Sequence, residues 1–303
     1  KQEQQELLNI VIVGGGATGI EVAGILSEMK KFVLPNDYPD MPSSLMHIYL
    51  IEAGPRLLAG MSEESSAHAE QFLREMGVNI LLNKRVVDYR DHKVVLEDGT
   101  EIATRTFIWV SGVTGVTIGN LDASLIGRGG RIKVDSFNRV EGMNNVFAIG
   151  DQCIQLADGN YPNGHPQLAQ VAIQQGELLA KNLVRMEKGR EMKPFHYRNL
   201  GSMATVGRNR AVAEFSKVKM QGWFAWVMWL VVHLRSILGV RNKVIVLLNW
   251  VWNYFTYDQS MRMIVYARKA KEIRDREKVE ETTHWGKELV QEEKNPSITS
   301  SSK

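Results

Sequence analysis

Three groups of residues have the types and spacing that chemistry requires. Gly14-Gly15-Gly16-Ala17-Thr18-Gly19 places glycines at positions 14, 16 and 19, a GxGxxG spacing. Glycine at 14 permits a tight turn, glycine at 16 lets the backbone approach a pyrophosphate, and glycine at 19 lets a helix pack closely on a strand. Amides at the start of that helix, Thr18 among them, would then face phosphate oxygens. Gly150-Asp151 sets an acid beside a glycine at what reads as the end of a strand, where a carboxylate can hydrogen-bond the ribityl or phosphate edge of a flavin. The same dipeptide equally fits an ordinary turn before a helix. Between Ala169 and Gly176, Gln170 and Gln174 share one helix face beside small alanines. Their amides suit a flavin or quinone carbonyl, or else a solvated helix surface.

These groups need elements to position them. Leu7 to Val13 is a short apolar, β-branched run that reads as a buried parallel strand feeding the glycine turn, with a helix over Ile20 to Phe32 after it. His47 to Ile51 reads as the next strand and ends in Glu52, whose carboxylate would accept hydrogen bonds from an adenosine ribose and repel a 2′-phosphate, favouring NAD over NADP. Glu52 stands well beyond the usual distance of about 20 residues from the glycines. The excess is Val33 to Met46, where Pro35, Pro39 and Pro42 mark an inserted loop. Downstream, the pattern predicts a helix over Glu63 to Met76 stopped by Gly77, then a strand over Val78 to Leu82. A hairpin over Val86 to Arg90 and Lys93 to Glu97, with a turn at Asp98-Gly99, precedes a strand over Phe107 to Val110 that ends at Ser111-Gly112. Asn145 to Ile149 reads as a short strand, and Pro166 to Glu187 as a helix.

Composition narrows the classes. The 303 residues are 44% apolar and 23% charged, a globular balance with room for two domains. The single cysteine, Cys153, excludes a disulfide scaffold or a CxxC pair within the chain. The seven histidines are scattered with no HExxH or His/Cys cluster, so no protein-held metal is expected. Lys1 to Glu6 is polar and does not read as a secretory leader.

Charge is unevenly placed. Residues 219 to 271 hold eight Lys/Arg against one acid, Asp258, a net +7, while the whole chain is +3, so the remainder is −4. Five of the seven tryptophans (Trp223, Trp226, Trp229, Trp250 and Trp252) fall in that segment. Trp223 to Leu234 is an apolar run ended by Arg235, and Val244 to Tyr257 is a second run interrupted by Asn249 and Asn253. Each is too short to cross roughly 30 Å of hydrocarbon. The pattern suits helices lying at a membrane interface, with basic groups on anionic lipid. Its alternative is a helical pair that packs a dimer or the chain's own core. Aromatics clustered in apolar runs, instead of interleaved with basic residues, argue against nucleic acid. Residues 268 to 294 read as a charged, solvated helix and Asn295 to Lys303 as disordered.

Taken together, Val13 to Gly24, Ile51 to Arg56, Trp109 to Val113, Ala148 to Asp151, the glutamine helix and the tryptophan-rich end resemble the type II NADH dehydrogenases, the FAD-dependent NADH:quinone oxidoreductases of respiratory membranes. The resemblance runs from about Leu7 to Ile264. It implies an α/β fold with a Rossmann-like NADH-binding domain and β-meander over 7–120 and the remainder of a second, FAD-binding α/β domain over 121–200. A β segment with amphipathic membrane-binding helices would fill 201–272, and a charged tail 273–303. Gly14, Gly16 and Glu52 would bind NADH, with Thr18, Gly19 and Gly112 in the same cofactor-binding set and Glu21 beside the nicotinamide. Gly150 and Asp151 would hold FAD, and Gln170 and Gln174 would line the place where quinone meets the flavin.

The implied activity passes a hydride from NADH to FAD and electrons on to quinone, without pumping protons. It belongs to a peripheral protein, possible as a homodimer, on the cytoplasmic face of a bacterial inner membrane in preference to a mitochondrial one. Family members begin with their own FAD-binding strand, glycine loop and helix, so the chain is expected to be a fragment of a longer protein. Two other readings share these motifs. One is a membrane-associated NADH-binding flavoprotein of the apoptosis-inducing-factor type, acting as a sensor or partner-binding protein. The other is a disulfide reductase, whose dimerisation domain has no such tryptophan run.

Overall fold

Every residue of β1 (Asn9–Val13) is buried, as in a strand covered on both faces. It runs parallel to β2 (His47–Ile51) on one side and to β7 (Thr106–Trp109) on the other. Beyond β2 lies β3 (Val78–Leu81), giving the order β3-β2-β1-β7. These elements belong to a computed structural model that describes residues 2–116, 118–216 and 218–256. The expected charged helix over 268 to 294 and the tail after it lie outside the described residues.

The alternation of side chains along β1 assigns its two faces. Ile10 and Ile12 point to the face covered by α2 (Ala17–Glu28) and α4 (Glu63–Glu75), where they pack with Ile20, Ile48, Leu50 and Leu73. Val11 and Val13 point the other way, onto Val94, Leu96 and Ile102 of an antiparallel meander formed by β4 (Val86–Arg90), β5 (Lys93–Leu96) and β6 (Glu101–Ala103). The Ser62 side chain caps α4 by accepting from the Ser65 amide, and Glu63 and Glu64 complement the helix start.

Several boundaries differ from the sequence expectation. Leu7 and Leu8 belong to α1 (Gln2–Leu8), and the strand begins at Asn9. A buried asparagine can open it because Asn9 Nδ2 donates to the Ala103 carbonyl at 2.8 Å, while its own carbonyl accepts from Thr104 Oγ1 at 2.6 Å. The α-helix after the glycine turn ends at Glu28 and continues as a π-turn over Met29–Val33. The proline-rich stretch is partly ordered, with α3 (Leu34–Asp37) and a 3-10 turn over Ser43–Leu45. Asn145 to Ile149 forms no strand: it makes one isolated bridge, Phe147 with Arg139, and its backbone bonds go to the short stretch 138–140. The strand lies later, at β9 (Cys153–Gln155), parallel to β8 (Ile132–Val134).

The helix α5 (Ala169–Glu187) follows, and after it an antiparallel sheet of β10 (Ser202–Gly207), β11 (Arg210–Phe215) and β12 (Val218–Gln221). The described residues divide into two compact units, one ending at residue 247 and the next beginning at 248. Within the first, α6 (Gly222–Ser236) rests on β11 through Ala225, which packs with Ala211 and Ala213. It leaves Trp223, Phe224, Met228 and Val231 exposed. The last described helix is α7 (Val240–Thr256); in the second unit its Leu248, Val251, Trp252 and Phe255 are exposed. Among the described residues no helix is long and apolar enough to cross a membrane.

Candidate functional site

The carboxyl ends of β1, β2 and β7 meet at one edge of the parallel sheet, where the chain leaves β1 for one neighbour and returns on the other side. Crevices of this kind bind nucleotides. Gly14, with φ +118°, donates its amide to the Ile51 carbonyl at 2.9 Å. A Cβ there would lie 3.0 Å from the backbone nitrogen of Ser111, so only glycine fits between the two strand ends. Gly16 is the N-cap of α2, and a Cβ on it would meet nothing within 4 Å. That open side is what a phosphate needs to reach the backbone. Ala17 and Thr18 are exposed at the helix start.

Glu52 closes the next strand with both oxygens engaged: Gly15 N donates to one at 2.6 Å and Gly54 N to the other at 2.7 Å. The carboxylate is thereby fixed beside the turn while half-exposed. On the β7 side, the Trp109 indole donates to the Ser111 carbonyl at 2.6 Å, and the exposed Gly112 follows with φ +77°. The structure therefore brings Gly14, Gly16, Thr18, Gly19, Glu52 and Gly112 to one edge.

Glu21 sits elsewhere on α2, half-buried, on the face that meets β10. Its Oε1 lies 3.5 Å from the Thr205 amide and 3.4 Å from Thr205 Oγ1, both long contacts. One turn on, Gly24 touches the Val206 backbone, and another turn on, Glu28 accepts from the Arg208 amide. Residues 21, 24 and 28 thus form a docking stripe for the β10–β11 hairpin.

The second group gathers around α5. Gly150 has φ +67° and donates its amide to Gln175 Oε1 at 2.7 Å. Asp151 is exposed, and among the described residues its carboxylate accepts no hydrogen bond, although Gln167 Nε2 donates to its carbonyl at 3.2 Å. Cys153, buried beside Gln175, has its thiol pushed up chiefly by burial, which leaves it protonated and unreactive. Gln170 and Gln174 do share a face, but both grip the chain that follows the helix. Gln170 donates to the Gly201 carbonyl at 3.0 Å and accepts from the Leu200 amide at 3.1 Å. Gln174 pairs with both backbone groups of Arg198, at 2.9 and 3.1 Å. Asn182 does the same to Lys193, at 2.8 and 2.9 Å.

Sequence reasoning missed Gln175. It could have been found: Val171, Gln175 and Asn182 are the buried positions of α5, at helical spacing, so an amide at 175 falls on the inward stripe. It also missed Asp158 and His165, each with a side chain only 2% exposed and joined by a 3.0 Å bond among Tyr161, Phe195 and Tyr197. Burial raises the Asp158 pKa, but the His165 hydrogen bond, with the Asn160 and Tyr197 amides, carries it below its ordinary value. A carboxyl group so lowered contributes stability above the unfolded value of about 4, and that contribution is lost as pH falls through the folded value. His165→Ala is therefore expected to cost about 2 kcal/mol at neutral pH in urea unfolding, with the gap to the parent narrowing below about pH 4. A gap that stays constant down to acid pH would contradict the assignment.

A parallel sheet with a glycine turn at its carboxyl edge and an acid closing the adjacent strand defines a dinucleotide-binding α/β protein. The pyridine nucleotide-disulphide oxidoreductase family model matches residues 1–176, and the NDH2 C-terminal domain model matches residues 199–257. The chain belongs to the pyridine nucleotide-disulphide oxidoreductase family, in its type II NADH dehydrogenase branch. It is 35% identical over 261 residues to the type II NADH:quinone oxidoreductase NdhA of Mycobacterium tuberculosis, covering 82% of this chain and 54% of that protein. It is 32% identical over 272 residues to the internal alternative NAD(P)H-ubiquinone oxidoreductase A1, mitochondrial, of Arabidopsis thaliana, covering 84% and 52%. The fold matches NDH2 of Plasmodium falciparum, solved in complex with NADH, with a TM-score of 0.77 at 19% identity over 86% of this chain and 69% of that one. The chain spans about half the length of the curated relatives it matches.

Proposed function

We propose that the intact protein is a non-proton-pumping NADH:quinone oxidoreductase, and that this chain supplies its NADH site and part of its FAD site. The observation that carries the reading is the open glycine turn flanked by Glu52 and by Ser111-Gly112. The residues fit the cofactors. Gly16 leaves the turn open to a pyrophosphate, and each Glu52 oxygen keeps a lone pair for a ribose hydroxyl beside its amide bond. On the other side, Gly150 and the exposed Asp151 carboxylate suit a donor such as a ribityl hydroxyl.

When bound together, the two cofactors supply the redox chemistry, a hydride from nicotinamide to flavin and two electrons onward to quinone. The chain's own residues bind and orient. Gly14, Gly16, Thr18, Gly19, Glu52 and Gly112 hold NADH within the 7–120 region, with Glu21 tuning the nicotinamide side. Gly150 and Asp151 hold FAD within 121–200. Gln170 and Gln174 each keep a second amide N–H beyond the backbone clasp, and these border the quinone edge. The exposed aromatic surface of α6, in a segment of net charge +7, supports peripheral attachment to anionic lipid on the cytoplasmic face of a bacterial inner membrane.

The test is steady-state NADH oxidation by the full-length, FAD-loaded protein with menaquinone and ubiquinone analogues. Quinone-dependent turnover that prefers NADH to NADPH, together with co-sedimentation on anionic vesicles, is expected. No quinone-dependent turnover by the loaded protein would refute the reading.

A further inference from the structure

The connection leaving β7 is pinned at both ends. Val110 donates its amide to the Val13 carbonyl at 2.9 Å, which ties the start of the connection to the strand that carries the glycine turn. Six residues on, Val116 is held by Gln152, one residue past Asp151. Its amide donates to Gln152 Oε1 at 2.8 Å, and its carbonyl accepts from Gln152 Nε2 at 2.7 Å. Gly115, next to it, donates to the Gly129 carbonyl at 2.7 Å. Both ends of this six-residue connection are thus held by hydrogen bonds to backbone groups. The Val116 side chain is 73% exposed and contributes little packing, so Gln152 grips the backbone and not an apolar contact.

We propose that Gln152 is a positioning residue: by clasping Val116 it sets the register between the glycine-turn site, bordered by Ser111-Gly112, and the Gly150-Asp151 site. The inference rests on the proposed function, because register matters when a donor at one site must meet an acceptor at the other. Misplacement of reacting groups by about 1 Å can cost roughly 100-fold in rate, whereas binding at either site alone does not require the clasp. Only a side chain with one donor and one acceptor at this length can satisfy both backbone groups. Glutamate is isosteric with glutamine but, when ionised, sets an oxygen against the Val116 carbonyl.

The experiment uses the full-length, FAD-loaded protein and its Gln152→Ala and Gln152→Glu variants. Hydrogen exchange at the Val116 amide reads the clasp directly and should quicken at least about tenfold in Gln152→Ala, whereas Gln152→Glu keeps an acceptor for that amide and loses only the donor to the Val116 carbonyl. In single-turnover mixing, flavin reduction by NADH should slow by about 10- to 100-fold, with NADH affinity and flavin reoxidation by a quinone analogue within about twofold of the parent. Faster exchange in Gln152→Ala with an unchanged reduction rate would overturn the positioning role, and unchanged exchange in that variant would overturn the clasp itself. Uniform loss of NADH affinity and of both rates would make the role merely structural and overturn it as well. Should NADH fail to reduce the flavin of the parent protein, the proposed function falls and this role with it, an outcome distinct from the others because the exchange measurement still reports the clasp.

Discussion

Replacing Gly24 with valine is expected to lower the stability of the chain by at least about 3 kcal/mol. A Cβ at this position would stand 1.6 Å from the Val206 carbonyl oxygen and 2.6 Å from its carbon, so the clash is with backbone and not with a side chain that can rotate away. Val206 is the residue at which the β10–β11 register shifts, an irregularity that leaves its carbonyl against α2. Beyond it, Glu28 accepts from the Arg208 amide and holds the hairpin to the helix. The same interface buries Ala204, Val206 and Val212 in the core under the parallel sheet, so parting it exposes apolar surface as well. Urea unfolding of the purified chain provides the measurement, with Ile25→Ala, one position along and exposed, as a control expected to stay within about 0.5 kcal/mol. A Gly24→Val loss below 1 kcal/mol, on the order of a surface change, would show that helix and hairpin are not in tight contact.

Gly19→Val should act on binding with comparable force. A Cβ at 19 would fall 1.8 Å from the Gly14 carbonyl oxygen, inside the turn proposed to carry the pyrophosphate. Either the turn opens or the first turn of α2 shifts, and in both cases the amides lose their aim. NADH affinity should drop at least about 100-fold, equivalent to about 2.7 kcal/mol. Quenching of intrinsic tryptophan fluorescence offers a readout, since Trp109 borders the site through its bond to Ser111. Gly16→Ala provides the contrast: its Cβ meets nothing within 4 Å, so the fold should stand while binding weakens. Parental affinity in Gly19→Val would move the nucleotide away from this turn.

The sheet was legible because its strands are short, β-branched and separated by glycine, and because the continuous apolar run of β1 suits a strand covered on both faces. Less legible were features that depend on distant partners. Asn9 can start a buried strand because Ala103 and Thr104, far along the chain, bond its Nδ2 and its backbone carbonyl. Asn145 to Ile149 has a strand's composition but finds only residues 138–140 to pair with. At the site, the glycine spacing and the acid after β2 are local signals, and the structure places these residues at one edge of the sheet. The glutamines of α5 do not: an amide on a helix face can meet a ligand, water or backbone, and spacing alone does not distinguish these. The clasps on Val116, Arg198 and Lys193 join segments that composition would describe as plain loop.

The lone thiol of the chain has a practical consequence. Cys153 is 1% exposed and held protonated chiefly by its burial, so the native background is nearly silent towards maleimide and iodoacetamide reagents. A cysteine introduced at an exposed α6 position such as Phe224 or Val231 would therefore accept a spin label or fluorophore alone, without first removing a native sulfur. Depth-dependent quenching from such labels would then test, residue by residue, whether that helix enters a lipid surface.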